Sequence, residues 1–307
     1  MTKSSRSITI RPLGGLGNQL FIYAAGRALA KRLGLELHAD LSQLDHDEKR
    51  DFGLGSFSSR IDKTFASFQK RSSHGRPSNW FRHFASGGKS EEVVFAERGF
   101  WFDDRFERIS GPVILEGFFQ SWKYFRQIET ELRSELERIN SPSEWFKEEA
   151  IRVKNRGPWA SIHIRRSDYR EVEGMRVASD AYYGRAISVL NQLVGDINLL
   201  IFSDDYDVPV RPLERYRRGS VSFVVSPPDT DPIEHLNLMA LSHHSIIANS
   251  TFSWWGAWMG HRDSRHVIHP RPWVDFKSVN DRDLHLPSWI GVGRDEERDA
   301  PFLNVVN

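Results

Sequence analysis

Ile8-Thr-Ile-Arg-Pro-Leu-Gly-Gly-Leu-Gly-Asn-Gln-Leu-Phe-Ile-Tyr-Ala-Ala-Gly-Arg-Ala-Leu-Ala-Lys-Arg-Leu-Gly-Leu-Glu-Leu-His-Ala39 reads as strand, turn, helix, strand. Ile8 to Arg11 is a short apolar strand, and Leu13 to Asn18 a glycine-rich turn. Leu20 to Leu33 is rich in alanine, with Leu20, Tyr23/Ala24, Arg27/Ala28 and Lys31 at helical spacing. Gly34 is well placed to end that helix in a left-handed conformation, and Leu35 to Ala39 is the next strand.

The same alternation returns, tighter, after Gly157-Pro158. Strands are expected at Trp159–Ile164, Ile197–Phe202, Val221–Val225, Ser245–Ala248 and His266–Ile268. Helices are expected at Asp180–Leu193, Ile233–Leu241 and Phe252–Met259. Strands alternating with helices imply a parallel sheet covered on both faces. Between these halves, Asp45 to Gly99 is rich in Ser, Gly, Arg and Lys and reads as an irregular insertion. Pro112 to Glu116 reads as strand, Lys123 to Ile139 as a charged amphipathic helix, and Ser143 to Lys154 as a further helix after the Asn140-Ser141-Pro142 break. The chain of 307 residues thus divides into domains 1–156 and 157–307, with the insertion at about 45–99 in the first.

Composition narrows the functions. A formal net charge of +1 supplies no global basic field, so nucleic acid is not an expected partner, and an anionic small ligand needs a local positive site. The absence of cysteine excludes disulfides and thiolate metal sites. Met1 to Ser7 is short, polar and basic with no apolar run behind it, and no stretch approaches the roughly 18 apolar residues of a spanning helix. A soluble cytoplasmic protein is expected, unless it clings to the inner face of a membrane.

Three segments follow strands of the second half, where open parallel sheets bind ligands. In Ser161-Ile-His-Ile-Arg-Arg-Ser-Asp-Tyr169, alternation puts His163 and Arg165 on one face and Arg166 on the other. Arginine grips phosphate bidentately; a surface ion-pair cluster is the plainer reading of the same residues. In Leu200-Ile-Phe-Ser-Asp-Asp205, Asp204 fits a carboxylate on a base or ribose, or an ordinary helix cap. In Asn249-Ser-Thr-Phe-Ser-Trp-Trp-Gly-Ala-Trp258, hydroxyls and backbone N–H groups open a helix, a ready anion site. Its three tryptophans, so closely spaced, favour a binding site over plain core. The Gly14–Gln19 turn matches a dinucleotide loop only in part, because Leu20 stands where the third glycine belongs. The D-x-D pairs at Asp45/Asp47, Asp205/Asp207, Asp229/Asp231 and Asp281/Asp283 are scattered in an acid-rich chain, and no metal is expected.

Jointly and in order, these segments resemble glycosyltransferase family 11, the alpha-1,2-fucosyltransferases of bacterial type. The marks run from Gly14-Gly-Leu-Gly-Asn-Gln-Leu-Phe-Ile-Tyr-Ala24 through Leu115-Glu-Gly-Phe-Phe-Gln120 with Tyr124-Phe125, His163-Ile-Arg-Arg-Ser-Asp-Tyr169, Tyr182-Tyr183, Phe202-Ser-Asp-Asp205 and Asn249-Ser-Thr-Phe-Ser-Trp-Trp-Gly-Ala257. The resemblance implies an α/β, GT-B-like fold of two Rossmann-like domains whose parallel sheets face across a cleft. It places the acceptor on the N-terminal domain and the donor, GDP-fucose, on the C-terminal one. It further implies inversion at the anomeric carbon, no metal and no cofactor beyond the donor, and a galactoside acceptor in a surface glycan.

Carried over by position, Arg165 would bind the β-phosphate and stabilise departing GDP, and His163 and Asp204 would contact guanine. Ser250, Thr251 and Ser253, in the Asn249 segment, would contact phosphate or fucose. Gly15, Gly17, Asn18 and Gln19 would line the cleft. More distantly related alpha-1,6-fucosyltransferases point to Glu173 as the base, with Glu171 and Asp168 nearby. The family usually has glycine at Ser167 and often glutamine at Ile22, so the loop after the arginines and one acceptor-side contact differ here.

Overall fold

The computed structural model describes residues 7–42, 44, 51–57, 65–68, 93–139, 141–165, 177–203, 220–260, 264–274 and 280–294. The chain forms two compact units. One holds residues 1–140 with 280–285, the other 141–279 with 286–307. The change of unit therefore falls one helix before the expected Asn155–Pro158.

In the first unit, β1 (Ser7–Ile10), β2 (Glu36–Ala39), β3 (Phe65–Phe68), β4 (Val94–Ala96) and β5 (Val113–Glu116) form a parallel sheet in the order β3-β2-β1-β5-β4. Helix α1 (Leu16–Leu33) begins inside the glycine-rich turn, four residues earlier than expected, with Gly15 as its N-cap. It is buried nearly all round, which explains its weak amphipathic pattern. Gly26 makes this depth possible: a Cβ there would lie 2.4 Å from the Ile10 side chain of β1. The stretch expected to be one helix from Lys123 to Ile139 is two short 3-10 turns, Trp122–Tyr124 and Arg126–Ile128, followed by α2 (Glu129–Leu136). Buried Tyr124, Phe125 and Ile128 tighten that approach into the core. The supposed insertion contributes two strands of the sheet, β3 and β4.

The second unit opens with α3 (Glu144–Lys154). Its strands are β6 (Trp159–Ile164), β7 (Asn198–Ser203), β8 (Val221–Phe223), β9 (His244–Ile246), β10 (Val267–Arg271) and β11 (Ile290–Gly293). All neighbours are parallel, in the order β8-β7-β6-β9-β10-β11. This is the doubly wound nucleotide-binding order. Even-numbered residues of β6, namely Ala160, Ile162 and Ile164, pack under α4 (Asp180–Val194) with Tyr182, Tyr183 and Ala186. On the opposite face, Trp159, Leu200 and Phe202 pack with α3 and with α5 (Pro232–Ala240). Helix α6 (Thr251–Met259) lies against α5 across Gly256, where a Cβ would meet Met239 Sδ at 2.8 Å. The expected two Rossmann-like units with parallel sheets are thus observed. No helix among the described residues is long and apolar enough to cross a membrane.

Candidate functional site

In the second unit the chain leaves β6, builds β7 and β8 on one side, then returns to place β9 on the other. The crevice of such a sheet lies where the strand order reverses, at the carboxyl ends of β6 and β9. The β6–β9 register pairs Ile162 with Ile246. Continued along the chain, it brings Arg165 level with Asn249. Alternation sets His163 and Arg165 on the face away from α4, and the His163 ring meets Phe252 of α6 at 5.7 Å. The arginine strand and the Asn249 segment therefore share one face of one switch point.

Within that site the residues do different jobs. Arg165 is half-buried immediately after β6. His163 is buried, and its carbonyl accepts from the Tyr183 hydroxyl at 3.0 Å. Ser250 is the N-cap of α6, yet its hydroxyl makes no capping bond, and Thr251 is half-buried in the first turn. These two hydroxyls sit at the positive end of a helix, where anions bind.

Asn249 and Ser253 both bond the backbone around the switch point. The Asn249 amide donates to the Trp273 carbonyl at 3.2 Å. The fully buried Ser253 hydroxyl donates to the Ser250 carbonyl at 3.1 Å. The three tryptophans, expected to mark binding surface, are core: Trp254, Trp255 and Trp258 pack on one another, Trp254 also meets Trp289, and none is more than 2% exposed. Asp204, Glu173, Glu171, Asp168 and Ser167 lie outside the described residues.

Tyrosines noted in the sequence but given no role prove to hold the switch point. Buried Tyr182 donates to the Ile247 carbonyl at 2.6 Å. Arg294, wholly buried just beyond β11, donates to the Trp273 carbonyl at 3.3 Å, the same carbonyl that Asn249 holds. No motif flagged it. Burial of a charged side chain in a strand-end position is a structural signal, not a sequence one.

The first unit has its own switch point, between β1 and β5, flanked by the glycine-rich turn after β1 and by the loop at Gly117 after β5. Gly14 has φ +68°, and a Cβ there would lie 2.7 Å from Asn18 Nδ2. Gly15 and half-buried Asn18 open α1, with Gly17 buried beneath them. Asn18 Oδ1 accepts from Gln120 Nε2 at 3.1 Å, joining the turn to the loop after β5. Gln19 is framework: fully buried, its amide donates to the Gly14 and Asp51 carbonyls at 2.9 and 2.8 Å and accepts from Gly53 N–H at 2.9 Å. These three bonds hold the turn in shape. Beside the turn, Arg11 pairs with Asp40 at 3.0 Å and with Glu116.

Among the described residues, no cluster of three or more histidine or acidic side chains is placed to hold a metal. Two of the D-x-D acids have other work. Asp231 caps α5 through the Ile233 N–H, and Asp283 accepts from Lys123 Nζ at 2.5 Å and from Phe102 N–H at 3.1 Å.

Several known proteins resemble the chain. An alpha-1,2-colitosyltransferase of Escherichia coli is 29% identical over 93% of this chain and 98% of its own length. The O-antigen biosynthesis glycosyltransferase WbnK of Escherichia coli is 28% identical, over 91% and 98%. Galactoside alpha-(1,2)-fucosyltransferase 1 of Alouatta belzebul is 23% identical over 64% of this chain and 57% of its own. Among solved structures, fucosyltransferase NodZ from Bradyrhizobium is 15% identical with a TM-score of 0.49, over 82% of this chain and 93% of that one. POFUT1 in complex with GDP-fucose is 14% identical with a TM-score of 0.44, over 87% and 98%. The sequence model of "Glycosyl transferase family 11" matches residues 103–293, well over half of the chain, and the chain belongs to that family.

Proposed function

We propose that the protein is an inverting transferase that moves L-fucose from GDP-β-L-fucose to the 2-hydroxyl of a terminal galactoside. The observation that carries this reading is the joint placement of Arg165 and the N-terminus of α6 on one face of the β6–β9 switch point. A diphosphate leaving group develops negative charge as its bond to the sugar breaks. A fixed guanidinium and a helix N-terminus answer that charge without reorganising.

In this reading the acceptor oxygen attacks the anomeric carbon as the carbon–oxygen bond to the β-phosphate breaks. GDP departs with the bonding electrons, and the hydroxyl proton passes to a carboxylate, which we assign to Glu173. Arg165 grips the β-phosphate, Ser250 and Thr251 hold phosphate or fucose, and His163 and Asp204 meet guanine. No metal is required, because Arg165 supplies the cation. The turn at Gly15–Asn18 lies on the acceptor side.

The name of the colitosyl relative favours one variation. Colitose is fucose without its 3-hydroxyl, so GDP-colitose is the alternative donor. Titration calorimetry in a chelator tests the donor site. GDP is expected to bind, and more tightly than UDP, because guanine offers a donor edge to Asp204. Equal affinity for the two nucleotides contradicts the guanine assignment, and a strict need for divalent metal revives the D-x-D pairs. Transfer from GDP-colitose with none from GDP-fucose selects the alternative.

A further inference from the structure

The carboxylate of Glu97 has no part in that scheme, yet it is buried directly beneath the loop that follows β5. Glu97 is 7% exposed and lies just past β4. Its Oε2 accepts the Phe118 N–H at 3.0 Å and the Phe119 N–H at 2.8 Å. Its Oε1 meets the Tyr124 hydroxyl at 3.0 Å, and that oxygen in turn accepts the Asp103 N–H at 2.9 Å.

The loop above it has a backbone that needs such an anchor. Phe119 adopts φ +52°, in the left-handed region that a β-carbon disfavours. Gly117 has φ +149°, and a Cβ there would lie 2.6 Å from the Glu97 Cβ, so only glycine lets the carboxylate come this close. Two N–H groups aimed at one carboxylate oxygen hold that conformation. The consequence reaches the site through Gln120, whose amide donates to Asn18 in the turn that opens α1. The same loop presents Phe118, half-buried and stacked on Phe100 at 5.8 Å.

We propose that Glu97 is a positioning residue that fixes the Gly117–Gln120 loop, and through Gln120 the Asn18 turn, in the shape that receives the acceptor sugar. The assignment of this unit to the acceptor rests on the function proposed above. Glu97 touches no substrate and acts through the two amides it holds. Burial pushes its carboxyl up, to about 8, against the pull of those amides and of Tyr124. The geometry suits a neutral group as well. With Glu97 protonated, Oε1 donates to Tyr124, whose own hydrogen turns to the Trp101 carbonyl 3.4 Å away. A glutamine reproduces those contacts, its oxygen accepting the two amides and its Nε2 donating to Tyr124.

The test compares Glu97→Gln, Glu97→Asp and Glu97→Leu in the full chain, by kinetics with GDP-fucose and a galactoside and by amide hydrogen exchange. Misplacing a site element by about 1 Å costs up to about 100-fold, so Glu97→Leu is expected to lower acceptor kcat/KM by about 10- to 100-fold. GDP affinity and hydrolysis of the donor by water stay as in the parent chain. Glu97→Gln restores acceptor kcat/KM, a rescue that a merely space-filling role does not produce. Exchange at the Phe118 and Phe119 amides quickens in Glu97→Leu, while Ile114 and Leu115 in β5 stay protected. Should Glu97→Leu fail to unfold cooperatively, Glu97→Asp serves, since it withdraws the carboxyl group from the two amides while keeping an acid at the position. Unchanged exchange at the two amides overturns the proposal, as does an equal loss of GDP affinity and acceptor efficiency in a folded variant. A parent chain that binds no GDP and transfers nothing refutes the functional reading and the acceptor role with it, and the exchange result still decides whether Glu97 holds the loop.

Discussion

Pro270 interrupts a central strand, and the repair of that interruption gives a quantitative test. Strand β10 lies between β9 and β11. Its ladder toward β9 runs Ser245 N–H to the His266 carbonyl and Ile247 N–H to the Ile268 carbonyl, both 2.9 Å. The next rung needs an N–H at position 270 to reach the Ile247 carbonyl, and proline has none. The Tyr182 hydroxyl supplies the missing donor from α4, at 2.6 Å. Tyr182→Phe removes one oxygen from a fully buried side chain and leaves the Ile247 carbonyl without that donor. An unsatisfied buried acceptor costs about 1–3 kcal/mol. In a domain of this size each kcal/mol lowers Tm by about 2–4 °C. Ile247 leads straight into Ala248, Asn249 and Ser250, so GDP affinity is expected to weaken in the same variant. Scanning calorimetry with and without GDP reads both effects. A Tm equal to that of the parent chain refutes the assignment of Tyr182 as the substitute rung.

Three further outcomes follow from the site. Arg165→Ala is expected to lower turnover by about 10²–10³-fold with cooperative unfolding retained, and Arg165→Lys is also poor because a point charge lacks the planar fork; near-normal turnover of Arg165→Ala by a GDP-release assay moves the leaving-group role to Arg166. Glu173→Gln is expected to lower transfer by about 10²–10⁴-fold with GDP affinity unchanged, and full activity of both Glu173→Gln and the matched Glu171→Gln removes the base from this loop. Burial holds His269 neutral and pushes its pKa down to about 3, with Arg271 adding to that push and the Pro270 carbonyl opposing it. Since an unfolded histidine protonates near about 6.5, the folded state binds fewer protons between about 6.5 and 3, and stability falls as pH drops through that window. Urea midpoints against pH are expected to flatten there in His269→Gln, and an unchanged slope contradicts the assignment.

The legible parts of the fold were those where local signals and tertiary packing agree. Strand β6 and helix α4 read directly, because apolar Ala160, Ile162 and Ile164 alternate along Trp159–Ile164 and Ser179 caps a helix of clear amphipathic period. Strand β4 did not. It is three residues long, amid a Ser-, Gly- and Arg-rich stretch, and exists through its pairing with β5. Strand β11, Ile-Gly-Val-Gly, has little strand propensity of its own. It is held by parallel pairing with β10, and Gly291 leaves room there for the Arg271 side chain, whose Cδ would lie 2.2 Å from a Cβ at that position.

At the site, the order of motifs carried the placement of Arg165 and Ser250 but not the division of labour. Gln19, Asn249 and Ser253 are polar residues in conspicuous motifs, and the Gln19 amide, the Asn249 Nδ2 and the Ser253 hydroxyl each bond a backbone group. The tryptophans after Ser250 look like a sugar platform in one dimension and are helix core in three. Glu97 and Tyr182 were invisible as site residues because their partners are backbone groups, which carry no residue identity.

The most direct test of the whole account is incubation of the full chain with GDP-fucose and an array of galactosides, followed by linkage analysis of the product. The account predicts fucose joined through an α-linkage to the 2-hydroxyl of a terminal galactose, formed in the presence of chelator. Attachment at another hydroxyl, or fucose released only as the free sugar with every acceptor, contradicts it.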